Sequence, residues 1–129
     1  MNRENMLRMS ERELDAYARS MGFSAHAAKG AEAKADLIDA RRNRSVTVSA
    51  LGVELEVTLK AAHDERFSAL IGSATRTDED VRRAFRLLLG DGQYDSLVAA
   101  ATDEDGTVDG AALSFGLNQI LSSDELKNY

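Results

Sequence analysis

The sequence predicts an α+β chain, mainly helical with one β-hairpin. Three observations carry that reading. Apolar residues recur at helical spacing over residues 10–42 and 64–121, with capping residues and glycines at the ends of the runs. Between those stretches the period drops to two: Val46, Val48 and Ala50 alternate, then Val53, Leu55, Val57 and Leu59. The length of 129 residues, 43% apolar and 5% aromatic, suits one domain or a small domain with an appendage. Its core is then built from Leu, Val, Ala and Ile.

The elements follow in order. Residues 1–9 read as frayed or loosely helical. Ser10 with Glu13 forms a capping box, Leu14, Tyr17, Ala18 and Met21 share a face, and Gly22 stands where a helix terminates. After the connector FSAHAAKGA, a second helix covers about Glu32 to Arg42 and ends in Arg41, Arg42 and Arg44, which suits the negative end of a helix dipole. The hairpin spans about residues 45–60, with Gly52 as its φ > 0 turn residue. Two strands alone are marginal, so the hairpin needs helices or a second chain to pack on. Asp64 is placed to cap a helix carrying Phe67, Leu70 and Ile71, closed by Gly72. Thr77 caps the next, whose stripe is Val81, Ala84, Phe85 and Leu88 and whose end is Gly90. Asp91 is expected to cap a short helix over Gln93–Ala101, with Tyr94, Leu97, Val98 and Ala101 facing in. The loop TDEDG precedes a helix from about Val108 to Leu121, and Ser122 with Glu125 suggests a last capped turn. The chain divides into a helical segment, 1–44, and a hairpin with a small helical bundle, 45–129.

Composition removes whole classes of chemistry. There is no Cys, so disulfide, zinc-thiolate and thiol chemistry are excluded. No apolar run approaches a membrane span, and the start, MNRENMLRMSER, has no apolar core of a secretory signal. A soluble, cytoplasmic protein is expected. Residues 1–44 hold nine Lys/Arg against seven Asp/Glu, and residues 45–129 seven against fifteen. So acidic a second part argues against nucleic acid as its partner.

Each candidate site has a plainer explanation beside it. Asp103-Glu104-Asp105-Gly106 invites a calcium-loop reading. Placing Gly106 at the sixth loop position puts Asp103, Asp105 and Asp109 at ligand positions, but Ala101 and Ala112 where the first and the bidentate ligands belong. A solvated, helix-capping turn accounts for it. His63, Asp64 and Glu65 are adjacent and do not face one another on a helix. With His26 the only other histidine, no metal spacing is present and no metal or cofactor is expected. No nucleophile-elbow motif supports an acyl-transfer triad, and no catalytic residue is assigned. Arg82, Arg83 and Arg86 share a face that Asp78 and Glu79 balance.

The last long helix differs. At about 100° per residue, Leu113, Leu117 and Ile120 form one stripe while Phe115 lies about 200° from Leu113. Leu87 likewise sits about 120° off the Val81/Phe85/Leu88 stripe. A helix sandwiched within the core explains two apolar faces; a partner surface explains them as well.

Residues 62–121 resemble the tail assembly chaperones of long-tailed phages and prophages. The pieces that carry the resemblance are Phe85-Arg86-Leu87-Leu88-Leu89-Gly90, the Gln93-Tyr94 helix, the acidic connector Asp103 to Gly106 and the closing helix Leu113 to Leu121. The preceding hairpin, VTVSALGVELEV, extends the likeness to about 80 residues. The resemblance implies a non-enzymatic assembly factor in a bacterial host, one that binds the tape measure protein and tail tube subunits and keeps them soluble. It also implies absence from the finished virion and, in many members, a second form made by ribosomal frameshifting. Leu87, Tyr94 and Phe115 are the expected contact residues, with homo-oligomerisation left open.

Residues 10–42 are similar to the helix–extended–helix motif of SAP and LEM-type modules, through Leu14, Tyr17, Gly22, Phe23, Lys34, Leu37 and Ile38. Members often bind DNA. The alternative function is therefore nucleic-acid binding through Arg41, Arg42 and Arg44, although Glu11, Glu13, Asp15, Asp36 and Asp39 dilute the cations.

Overall fold

Helical spacing and strand alternation each produce the element they imply in the structure, a computed structural model that describes residues 1–127. The fold is α+β: mostly helical, with a single two-stranded antiparallel hairpin among the described residues. Contacts divide the chain into two compact units, Met1–Arg44 and Ser45–Tyr129.

The first unit holds α1 (Arg3–Met6), α2 (Glu11–Ser20) and α3 (Ala31–Asn43). Both halves of the Ser10–Glu13 capping box form. Gly22 takes a φ of +91° just past the helix end, a conformation open to glycine without a Cβ clash. The stretch read as frayed instead contains α1, capped by the Asn2 side chain, and its Met6 is buried. The reason is tertiary. Arg3 bonds Asp36 on α3 at 2.8 Å, which pins one helical turn that would not stand alone. Met6, Leu14, Ala18, Ala25, Ala35 and Ile38 form the core.

A charge lies inside this core. The Lys34 side chain is 4% exposed, and its ammonium bonds Asp15 Oδ1 at 2.8 Å and the Ala25 carbonyl oxygen at 3.1 Å. Lys34 thereby ties α3 to α2 and to the connector. The hydrogen bond from Lys34 holds the Asp15 carboxyl below the usual carboxylate range, against the opposing effect of desolvation.

The second unit begins with β1 (Ser45–Ala50) and β2 (Val53–Thr58). Their register pairs Ala50 with Val53, Val48 with Leu55, Thr47 with Glu56 and Val46 with Val57. A two-residue turn joins them, with Leu51 at φ +52° and Gly52 at φ +74°. Positive φ at both central residues is the type I′ turn, whose twist matches the strands. A leucine there was not anticipated. It is held by its N–H donating to Gln119 Oε1 at 2.9 Å, and its side chain lies over Gly116, where a Cβ would come 2.8 Å from Leu51 Cγ.

Helices α4 (Leu59–Ala62), α5 (Glu65–Gly72), α6 (Asp78–Leu89), α7 (Asp91–Ala100), α8 (Gly110–Leu121) and α9 (Asp124–Lys127) follow. Asp64 caps α5 and Thr77 caps α6, as expected, and Thr77 adds a full capping box with Asp80. Four boundaries differ from the sequence reading. Leu59 leaves the strand pattern because the Thr58 hydroxyl accepts from the Ala61 N–H and starts α4. Asp91 does not cap: Gly90, at φ +79°, lets α7 begin directly, so Asp91 lies in its first turn. Val108 bridges Thr102, and α8 starts at Gly110 under an Asp109 cap. Ser123, rather than Ser122, accepts from Leu126 at the last turn.

The hairpin's inner face, Val48, Ala50, Leu55 and Val57, packs with Phe67, Phe85, Leu88, Tyr94, Leu97, Leu113, Leu117 and Ile120. Phe67 and Phe85 meet edge to face at 6.1 Å.

Two outcomes follow. A depressed carboxyl contributes stability above its unfolded pKa, and that contribution is lost as pH falls through the folded pKa. Melting of the first unit, followed at Leu14 and Ile38 resonances, should therefore weaken below about pH 4; Asp15→Asn should lower the neutral-pH melting point and flatten that acid loss. Gly116→Ala should lower stability in thermal melts. Crowding Leu51 costs about 1–3 kcal/mol, which outweighs the roughly 1 kcal/mol of helix propensity gained.

Candidate partner-binding surfaces

Three predicted contact residues occupy three different environments. Tyr94 is 2% exposed and belongs to the core of the second unit. It offers no surface to a partner, and this corrects its expected role: α7 turns its ring inward, with the Arg86 guanidinium over it at 4.8 Å. Leu87 is half-buried on α6. Phe115 is 62% exposed, on the side of α8 away from the buried Leu113, Leu117 and Ile120. Val108 and Leu121 are further exposed apolar residues of the unit.

Phe115 forms part of a groove. Thr47 and Ser49 of β1 line one side; Phe115, Asn118, Gln119, Ser122, Ser123 and Glu125 line the other. Spacing explains the helical wall, since residues 115, 118, 119 and 122 fall on one face of a 3.6-residue helix. Helical spacing alone separates Phe115 from the core stripe, but it does not show what lies opposite. That needed the fold to bring β1 beside α8.

The two edges of the hairpin are treated differently. On β2, the Gln93 side chain of α7 engages the Glu56 backbone twice. Its Oε1 accepts from the Glu56 N–H at 2.7 Å, and its Nε2 donates to the Glu56 carbonyl oxygen at 2.9 Å. A primary amide carries the donor–acceptor pair of a peptide unit, so Gln93 stands where a third strand would pair. Nε2 also donates to the Leu89 carbonyl oxygen at 2.7 Å.

Titratable groups in this unit are explained locally. Asp64 and Asp105 lie below the ordinary carboxylate range. Asp64 is held chiefly by the side-chain hydrogen bond from Arg66, and Asp105 by the Thr107 backbone N–H. The acidic turn closes on itself: Asp103 N–H bonds the Thr107 carbonyl oxygen at 2.7 Å, Gly106 N–H bonds that of Asp103 at 2.9 Å, and Thr107 N–H bonds Asp105 Oδ1 at 2.9 Å. Among the described residues no group of three or more His, Asp or Glu is arranged to hold a metal ion. No helix among them is long and apolar enough to cross a membrane.

In the first unit, Phe23, Ser24, Leu37, Ala40, Arg41 and Arg44 line a groove. Arg41 lies over the Phe23 ring at 5.6 Å, and Arg42 donates to the Met1 carbonyl oxygen at 2.6 Å. Of the three arginines considered for nucleic acid, Arg41 and Arg42 are half-buried and Arg44 is exposed.

Comparisons with protein-family models, curated proteins and solved structures returned no match.

Replacing Gln93 with Ala should leave the fold intact while uncovering the β2 edge. Hydrogen exchange at the Glu56 amide should accelerate, and stability should fall by about 1–2 kcal/mol, the worth of one or two hydrogen bonds.

Proposed function

We propose that this chain is a non-enzymatic assembly factor that binds protein clients through the solvent face of α8. The observation that carries the reading is Phe115: a large aromatic ring, 62% exposed, on a helix whose opposite face is already buried in the core. Leaving such a ring in water forgoes burial worth roughly 2–3 kcal/mol. A partner that covers it recovers that energy.

The resemblance of residues 62–121 to tail assembly chaperones supplies the client class. In this reading the tape measure protein, a long helical client, lays an apolar stripe on Phe115 with Leu121 at the periphery, and tail tube subunits are the second client. The excess of acidic residues over 45–129 keeps the complex dispersed. The cytoplasm of a bacterial host is the setting. Nucleic-acid binding by Arg41, Arg42 and Arg44 is the weaker reading, because Arg42 is engaged by Met1.

The test is binding of the purified chain to a helical fragment of the tape measure protein encoded beside it, by calorimetry. Phe115→Ala should weaken binding at least about tenfold with an unchanged melting temperature. Tyr94→Ala should instead lower the melting temperature through loss of core packing, by about 3–5 kcal/mol of stability. No binding by the unaltered chain, or a Phe115→Ala loss that only tracks unfolding, defeats the proposal.

A further inference from the structure

The Gln93 bracket fixes the phase of the whole hairpin. Because Glu56 presents both its N–H and its carbonyl to Gln93, those groups point away from β1. Glu56 therefore sits in a non-hydrogen-bonded pair of the ladder, and so does Thr47, its register partner. The type I′ turn gives the same phase, since Ala50 and Val53 close it as a hydrogen-bonded pair and alternation returns Thr47 and Ser49 to the outward set. The N–H and carbonyl groups of Thr47 and Ser49 thus face away from β2, on the edge that borders the α8 groove.

Helices α8 and α9 pack beside β1 and form the far wall of the groove, but the strand itself carries no protection of its own. It has no proline, no charged side chain and no bulge; its outward-phase residues are Ser45, Thr47 and Ser49. On β2, by contrast, the same face carries Glu54 and Glu56, and Gln93 occupies the edge.

We propose that the β1 edge accepts an extended segment of a partner protein by strand addition, with the segment lying in the groove between β1 and α8. Main-chain bonds to Thr47 and Ser49 set its direction and register, and Phe115 receives one of its apolar side chains. Charge fixes the chemistry of the occupant. Glu125 is the one charged residue among the described ones that line the groove, and Glu54 and Glu56 lie one strand further along the same face. The segment is therefore basic at alternate positions, with apolar residues between. A second copy of the chain brings more carboxylates to that face and meets its own α8 wall, and fits less well.

Strand capture deepens the client-binding function proposed above and rests on it, yet the two fail separately. Helical clients need Phe115 but no free strand edge, whereas an extended segment needs the Thr47 and Ser49 backbone groups. The probe is an acetylated, amidated hexapeptide alternating lysine and valine, titrated into the full-length, nitrogen-labelled chain. Thr47 and Ser49 amide signals should shift and their exchange should slow. Thr47→Pro removes an outward N–H without touching the β1–β2 ladder; it should weaken the peptide at least about tenfold and leave helical client binding unchanged.

Two N-methylated peptides complete the test on the unaltered chain, so the result stands even if Thr47→Pro unfolds. One is methylated at odd positions and the other at even positions. Alternation of lysine and valine fixes which face is inward, and a single strand direction then fixes which amides meet β1, so one analogue should bind and the other should not. Equal behaviour of the two, shifts confined to residues other than Thr47 and Ser49, or no shift at millimolar peptide overturns strand addition. Loss of helical client binding with these peptide results intact would instead overturn the Phe115 reading alone.

Discussion

Burying one face of a two-stranded hairpin is the constraint on which the second unit depends. Val48, Ala50, Leu55 and Val57 project to one side, and two strands cannot hide that side by themselves. Each helix that follows contributes to the cover: Phe67 from α5, Phe85 and Leu88 from α6, Leu97 from α7, Leu113 and Ile120 from α8. Backbone polarity imposes the matching requirement at the rim. Two glutamines meet it from different helices, Gln93 at the middle of β2 and Gln119 at the turn. Both use the amide's ability to imitate a peptide group, and both act only because apolar packing has already brought α7 and α8 alongside.

The first unit solves a different problem by different means. Its core is small, and its central helix contact includes a charge. Lys34 is buried, but its ammonium retains a carboxylate and a carbonyl as partners. Such a pair contributes less to net stability than to choosing one arrangement, because any other packing strands the ammonium without partners. The arrangement selected puts Arg3 beside Asp36 and draws the first helical turn onto α3.

Local signals were legible in the sequence, and long-range ones were not. Ser10, Asp64 and Thr77 cap the helices they announced, because a cap is a bond to a backbone N–H two or three residues away. Strand alternation placed the inner face of the hairpin correctly for the same reason. Leu59 continued that alternation and still left the strand, since a capping hydroxyl at Thr58 outweighed one more residue of pattern. Nothing near Gln93 or Gln119 in sequence hints that their partners lie 37 and 68 residues away. At the candidate surface, angular position picked out Phe115 because helix geometry alone separates it from Leu113 and Leu117. Tyr94 follows the same geometry: helical spacing turns it inward, and the fold gives its ring a guanidinium and a core, so the contact role assigned to it beside that spacing does not hold.

The Gln93 bracket also sets an upper limit on assembly. A sheet with two open edges can pass strand pairing from molecule to molecule without end, and fibres grow that way. Here one edge is closed from within by a side chain of the same chain. Pairing is then left to the β1 edge. The hairpin can stand at the end of a sheet, but it cannot pass pairing on from one of its edges to the other.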